Sequence, residues 1–261
     1  ESDFFRGQGE NDKAKAILQT ILVKSPGDTE ASVKLAQVLA AENDRDGAFR
    51  CLEAALQQNP KKTDREKIIL ARAALHGSTG RWDEVKSDCE GILKENQGNM
   101  DAHLLLGKAL MNLAQFEEAE IHLNQVAPAH PTDIEAQILL ARAQSLSRKE
   151  TLAGDTLKKA LKANPMSLQI RMELVRYHLS NKEPDQAIKL LEDGRQLHPG
   201  ELLILKAMGE IEISQKNDKK AEQAFREMIR IHPASPLGYM QMGQLTMTRS
   251  APREALQWLQ Q

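Results

Sequence analysis

A proline recurs every 34 residues along much of this chain of 261 residues. The same step separates Pro26 from Pro60 and, further on, each of the four prolines Pro131, Pro165, Pro199 and Pro233 from the next. The gap between Pro60 and Pro131 is 71 residues, which is two such steps and three additional residues. A period of about 20–50 residues indicates stacked copies of one supersecondary unit. The sequence therefore predicts a repeat protein with a three-residue insertion between Lys61 and Gly80.

Small and large side chains keep the same step and indicate that each repeat is a pair of helices. A small residue is followed four residues later by a large one, as in Ala119 and Leu123. Closely crossing helices need a small side chain on one helix and a large one opposite. The proline follows the second helix, which it cannot continue. The small positions are Ala14, Ala48, Val85, Ala119, Ala153, Ala187, Ala221 and Ala255.

Composition excludes several classes of protein. The formal net charge is −2, whereas a nucleic-acid-binding domain usually carries a clear basic surplus, so we expect no nucleic-acid partner. No stretch approaches the roughly 20 apolar residues that span a bilayer. The two cysteines, Cys51 and Cys89, are too far apart in sequence for a metal knuckle. Because the chain begins at Glu1 rather than Met, we expect it to be a fragment of a longer protein.

The spacing resembles the tetratricopeptide repeat (TPR), whose pattern is W-x2-L-G-x2-Y, then A-x3-F, then P, at a period of 34. Leu106-Gly107, Phe116, Ala119, Leu123 and Pro131 match it, and Met242-Gly243, Ala255 and Tyr239 match in the last repeat. Most aromatic positions of the pattern hold Leu, Ile or His instead. The signature positions are Gly107, Ala119, Ala153, Ala187, Ala221, Pro131, Pro165, Pro199 and Pro233.

The resemblance implies an all-α fold, an α-solenoid with a right-handed superhelix of antiparallel helix pairs and about seven and a half repeats. Neither end resembles a polar capping helix, and Phe4, Phe5 and Trp258 lie near the ends. We therefore expect the protein to continue beyond an end, or an end to pack on a partner, including self-association. In register, a partial repeat spans 1–28, full repeats span 29–62, 63–99, 100–133, 134–167, 168–201 and 202–235, and a partial repeat spans 236–261.

A search for catalytic chemistry finds no signature in the sequence. HExxH, paired CxxC, GxSxG and P-loop motifs are missing, so we expect no enzyme, no metal and no cofactor. His130, His198 and His232 precede the periodic prolines, which places them about a repeat apart and too far from one another for shared metal ligation. His103 and His178 occupy positions that face the partner helix, where we expect structural residues at the edge of the core, with contact to a ligand as the alternative.

In proteins of this family the first helices line an inner groove, and partners usually bind there. One groove-facing position holds three cations in successive repeats, Lys108, Arg142 and Arg176. The position one turn earlier is mostly apolar and includes Leu104, Ile138, Met172 and Met240. The apolar positions either contact a partner peptide or close against neighbouring helices. The cations either select an acidic ligand or are only solvated, and the carboxylate clamp of chaperone-binding relatives is missing.

The resemblance implies a scaffold for protein–protein interaction that binds a partner peptide or helix in its concave groove. The repeat style is similar to bacterial TPR proteins of cell-envelope assembly, including exopolysaccharide export, which would place the chain in the periplasm. The alternative is a regulatory module that senses a peptide or ligand for an effector domain outside this sequence, in the cytoplasm. A carbohydrate-binding module is disfavoured because aromatic residues make up only 3% of the chain.

Overall fold

Helices account for most of the described backbone, as the sequence predicts. The computed structural model describes residues 11–249 and 251–260, and within them it contains helices and turns but no strand. The helices are α1 Asn11–Lys24, α2 Thr29–Ala41, α3 Arg45–Gln57, α4 Lys62–Ser78, α5 Trp82–Glu95, α6 Met100–Asn112, α7 Phe116–Val126, α8 Ile134–Leu146, α9 Glu150–Ala163, α10 Leu168–Ser180, α11 Pro184–Leu197, α12 Leu202–Ser214, α13 Asp218–Ile231, α14 Pro236–Thr248 and α15 Pro252–Leu259.

Polar side chains begin most of the even-numbered helices, which are the first helices of the repeats. Asp28 accepts a hydrogen bond from the Ala31 backbone N–H at 2.9 Å, and Asp133 accepts one from Ala136 at 3.0 Å. Such caps satisfy backbone donors that lack a partner inside the helix. Asn99, Ser167 and Ser235 cap α6, α10 and α14 in the same way.

A single left-handed residue ends the turn inside most helix pairs. Six of these residues have φ between 58° and 74°: Asn43, Gly80, Ala114, Arg148, Lys182 and Lys216. In the first pair, the Asp44 N–H, which follows Asn43, donates to the Leu39 carbonyl at 2.8 Å. This is the Schellman-type closure of a helix C-terminus, and it reverses the chain within three residues.

Glycines and alanines lie where the two helices of a pair cross, as predicted. A Cβ atom added to Gly107 would lie 2.6 Å from Cγ and Cδ2 of Leu123, and one added to Gly243 would lie 2.9 Å from the same atoms of Leu259. The large side chain of the second helix therefore fills the space that the missing Cβ leaves. On the second helices, the alanines of the small position are at most 2% exposed: Ala14, Ala48, Ala119, Ala153, Ala187, Ala221 and Ala255.

The chain divides into two compact units, one that ends at Ala153 and one that begins at Gly154. In the first unit the first helices form one layer, since α2 contacts α4, α4 contacts α6 and α6 contacts α8. Its core contains Leu52, Ile68, Leu106 and Leu123. In the second unit α12 contacts α14, and the core is built around Leu191, Ile204 and Phe225.

The inserted residues lengthen α4. This helix has 17 residues, whereas α2 and α6 have 13 each. Its crossing residue, Ala73, is the twelfth of the helix, whereas Gly107 is the eighth residue of α6. The additional turn therefore lies at the N-terminus of α4, over residues 62–65, and leaves the crossing with α5 unchanged.

Candidate functional site

Three first helices of the first unit, α2, α4 and α6, border an open groove of about 840 Å3. Its apolar floor consists of Val33, Leu70, Ala71, Leu104 and Leu105, all half-buried. Val33, Leu70 and Leu104 each lie three residues before the crossing residue of their helix. The floor side chains pack against the core, as one of the two interpretations of this apolar position predicts, and contact with a partner stays a prediction.

Four carboxylates line the same groove at the N-terminal ends of its helices. They are Asp28, Glu30, Asp64 and Asp101, and we call them the acidic edge. The lining has two lysines: Lys34 lies 2.8 Å from Glu30 and Lys67 lies 3.8 Å from Asp64. With four carboxylates against two lysines, the groove carries a net negative charge.

The structure distributes the predicted site residues unevenly. Leu104 lines the groove, and Ile138 is half-buried on α8. The Lys108 ammonium lies 2.8 Å from the Glu135 carboxylate, and Arg142 is exposed. In the second unit, the Arg176 guanidinium lies 2.8 Å from Glu173, Met172 is half-buried, and Met240 is 54% exposed. Intrachain carboxylates thus pair with Lys108 and Arg176.

Sequence reasoning missed Leu70 and Asp64. Leu70 lies 34 residues before Leu104 but 37 after Val33, because the insertion falls between Val33 and Leu70. A register carried forward from Pro26 and Pro60 therefore places Lys67 at this position, and Asp64 lies in the additional turn, which the period does not describe. The spacing from a first-helix crossing residue to the large residue of the second helix is 16 in both Ala73–Cys89 and Gly107–Leu123. Alignment on that spacing would have placed Leu70 in the apolar position.

Two histidines form a second feature of the first unit, in a pocket of about 540 Å3 bordered by α5, α6 and α7. His103 Nε2 lies 3.0 Å from the Gln97 carbonyl oxygen, so this nitrogen carries a proton and donates it. His103 Nδ1 is then an acceptor in the neutral ring, and His122 Nδ1 donates to it across 2.9 Å. His103 is buried, as its position in the repeat predicts.

Acid should destabilise the protein through His122. Burial, with His103 and Lys86 beside it, lowers the pKa of His122, and the carboxylates of Glu118 and Glu90 oppose this only in part. Between the lowered pKa and the ordinary value of about 6.5, the unfolded chain binds more protons, so stability falls as pH falls through that window. We expect His122→Gln to flatten the dependence of unfolding free energy on pH, measured with urea from about pH 7.5 to 5.5. The exposed His130→Gln serves as control, and an unchanged slope in His122→Gln would contradict the assignment.

The two cysteines and the metal-ligating side chains are the other candidates for chemistry. Burial raises the pKa of the Cys89 thiol to about 12 and also raises that of Cys51, so neither cysteine is an activated nucleophile. Across the residues that the structure describes, no three His, Cys, Asp or Glu side chains converge in a way that could hold a metal ion. In that same part of the chain, every helix is too short or too polar to cross a bilayer.

Solved structures share this arrangement of helices. A tetratricopeptide repeat protein from Parabacteroides merdae is 16% identical with a TM-score of 0.64, covering 94% of this chain and 96% of its own. The C-terminal part of a TPR repeat-containing protein from Cytophaga hutchinsonii is 14% identical with a TM-score of 0.65, covering 92% and 98%. PilF of Pseudomonas aeruginosa is 16% identical with a TM-score of 0.61, covering 81% and 94%. At these identities the likeness shows the fold alone.

Sequence comparison agrees with the fold. No curated protein sequence matches the chain. Two family models, each described as tetratricopeptide repeat, match it: one at residues 5–75 and 78–143, the other at residues 172–236. Because the first of these models alone matches more than half of the sequence, the chain belongs to the tetratricopeptide repeat family.

Proposed function

We propose that the groove between α2, α4 and α6 binds a segment of a partner protein. The tetratricopeptide fold supports a protein–protein interaction scaffold in general, and proteins of this family are generally not enzymes. The observation that carries the proposal is the groove itself, an open space of about 840 Å3 with an apolar floor of Val33, Leu70 and Leu104. Its size lies in the range of about 300–1,000 Å3 that is usual for ligand sites.

The floor supports a ligand that inserts apolar side chains. Covering apolar surface contributes roughly 25 cal/mol per Å2, and fully burying one leucine-sized side chain contributes about 1.5–3 kcal/mol. A helical segment presents such side chains at every third or fourth residue, and an extended segment presents them at every second residue. Both spacings can supply side chains to the three aligned floor positions.

The remaining predicted contacts are proposals of the same kind. Ile138 on α8, and Met172 and Met240 in the second unit, occupy the position of Leu104 in their own repeats. The cationic row of Lys108, Arg142 and Arg176 would select an acidic ligand. A ligand carboxylate would have to compete with Glu135 and Glu173, which already lie 2.8 Å from Lys108 and Arg176. We therefore rank the floor above the cationic row as the partner-binding surface.

The composition of the repeats suggests the cellular compartment and the kind of assembly in which the chain acts. We propose that the partner belongs to a bacterial cell-envelope assembly such as polysaccharide export, in which case the chain acts in the periplasm. The proposal rests on the alanine-rich repeats that end in Asn-Pro or His-Pro, as at Asn164-Pro165 and His198-Pro199.

A comparative pull-down from extract of the source organism tests the groove. The bait is the wild-type chain, and the test variant carries Leu70→Gln and Leu104→Gln, which make the floor polar without adding charge. Each substitution removes roughly 1.5–3 kcal/mol of apolar burial in the complex, so captured partners should fall by tenfold or more. The matched control is Ile121→Gln on α7, since Ile121 is 62% exposed and lies outside the groove.

The result is decisive only if the variants remain folded, which circular dichroism and thermal melting establish. Loss of the same proteins from the floor variant and not from Ile121→Gln supports the groove. Equal capture by all three chains would show that partners bind elsewhere.

A further inference from the structure

We infer that the groove of α2, α4 and α6 selects a partner segment that is apolar and basic, with lysine or arginine beside the side chains that fill the floor. The inference rests on the proposed function and names the chemistry of its ligand. It is opposite in sign to the acidic ligand that the cationic row suggests. The reason is that Leu104 lines the groove, whereas Lys108, one turn further along α6, is not among its lining residues.

Two carboxylates of the acidic edge occupy corresponding positions in α2 and α6. Glu30 and Asp101 each lie six residues before the crossing residue of their helix, Ala36 and Gly107. Lys67 takes that position in α4, but the additional turn brings Asp64 to the groove as well. Glu30, Asp64 and Asp101 lie in the first turns of their helices, so the carboxylates follow one side of the floor. A favourable interaction with the helix N-terminus explains their positions within each helix.

The pairing within the chain leaves charge available on this edge. Lys34 and Lys67 pair with carboxylates of their own helices, at spacings of four and three residues. Exposed pairs of this kind contribute little, so a ligand cation can join or replace the lysine. In the described part of the chain, the Asp101 carboxylate has neither an ion-pair nor a hydrogen-bond partner. Asp101 is therefore the group that we expect a ligand cation to contact first.

Complementary charge favours an apolar segment that carries lysine or arginine over one that carries glutamate or aspartate. A lysine or arginine next to the floor meets carboxylates beside a low-dielectric apolar surface, where attraction is stronger than in bulk water. A glutamate or aspartate of the ligand at the same place meets like charge and increases the net negative charge in the groove. Like-charge contacts suppress unsuitable partners, so the edge acts on specificity while the floor supplies burial.

Fluorescence anisotropy with two labelled model peptides tests the inference on the purified chain. One is an amphipathic helix of leucine and lysine, and the other has the same length and pattern with glutamate in place of lysine. We expect the leucine–lysine peptide to bind at least tenfold more tightly at about 0.05 M salt, with the difference shrinking towards about 0.5 M.

The edge variant carries Glu30→Gln, Asp64→Asn and Asp101→Asn, and we expect it to lose the preference for the basic peptide. The matched control carries Glu53→Gln, Asp46→Asn and Asp83→Asn, which remove the same charge from exposed positions on the second helices α3 and α5. A control that loses the preference equally would show a general charge effect and overturn the inference.

The floor variant, Leu70→Gln with Leu104→Gln, separates the two proposals. If it abolishes peptide binding while the edge variant keeps the basic preference, the groove is the site and the inferred ligand chemistry is wrong. If binding persists in the floor variant, the groove proposal itself is wrong. Equal or tighter binding of the leucine–glutamate peptide, or no binding of the leucine–lysine peptide at low salt, also overturns the inference.

Discussion

Replacing Gly107 with leucine should lower the free energy of unfolding by about 1–3 kcal/mol through overpacking at the crossing of α6 and α7. Even a Cβ atom at this position would lie 2.6 Å from Leu123, closer than a real Cβ atom approaches another heavy atom. A leucine must therefore separate the two helices or push Leu123 out of a site where it is fully buried. Chemical denaturation of the purified variant measures the loss.

Gly91 provides the control because it is also helical but lies in open space on α5. An added Cβ atom meets nothing within 4 Å there. We expect Gly91→Ala to raise the free energy of unfolding by about 0.5–1 kcal/mol, since alanine restricts the unfolded chain and favours the helix. A melting temperature of Gly107→Leu equal to that of wild type would show that the helices do not cross at this residue.

Truncation of Arg171 to alanine should lower the free energy of unfolding by about 2–4 kcal/mol, from lost packing and two lost hydrogen bonds to part-buried carbonyls. The side chain is 4% exposed on α10, and its guanidinium donates to the Leu190 carbonyl at 3.1 Å and the Pro165 carbonyl at 3.0 Å. Burial lowers the pKa of this guanidinium, so its charge is held at a cost that the hydrogen bonds offset.

Glutamine at position 171 should recover part of the lost stability. Gln137 occupies the same position one repeat earlier, and its Nε2 donates to the carbonyl oxygens of Ala127 and His130. We expect Arg171→Gln to lose about half as much as Arg171→Ala, because a donor remains for carbonyls of the linking segment, where Gln137 makes its bonds, but not for Leu190 on α11. Urea unfolding of both variants measures the difference. If the alanine variant loses under about 0.5 kcal/mol, the carbonyls of Leu190 and Pro165 do not depend on Arg171.

The fourth residue of the first helices shows which features of a polar side chain can be predicted from sequence and which cannot. Residues with a polar side chain there, including His103, Gln137 and Arg171, look like interruptions of an apolar pattern. In the structure all three donate to a backbone carbonyl in the segment that joins their repeat to the preceding one. The period predicted that His103 faces the partner helix, but Gln137 and Arg171 were not recognised as its equivalents, and the acceptors of all three became visible only with the fold.

Small residues, caps and helix pairs were predictable because each depends on neighbours close in sequence. The spacing between Gly107 and Leu123 is local, and so is the bond between Asp133 and Ala136. The pairing of Lys108 with Glu135 depends instead on how far α6 and α8 are offset along their axes, which repeat spacing does not specify. The negative charge of the groove was not predicted, because repeat spacing does not specify which side chains of different helices come together. In addition, Asp64 lies in the inserted turn.

The additional turn of α4 shows which insertions a layer of first helices can tolerate. A residue added within a helix rotates everything before it by about 100°, so one or two extra residues would turn the helix start to another side. Three or four nearly complete a revolution and lift the start by about 5–6 Å along the axis. Length can thus change in whole turns at the start of a first helix, which carries a new side chain such as Asp64 to the groove while Ala73 keeps its contacts. The lining of the groove and the packing of the core are in this way encoded by different parts of one helix.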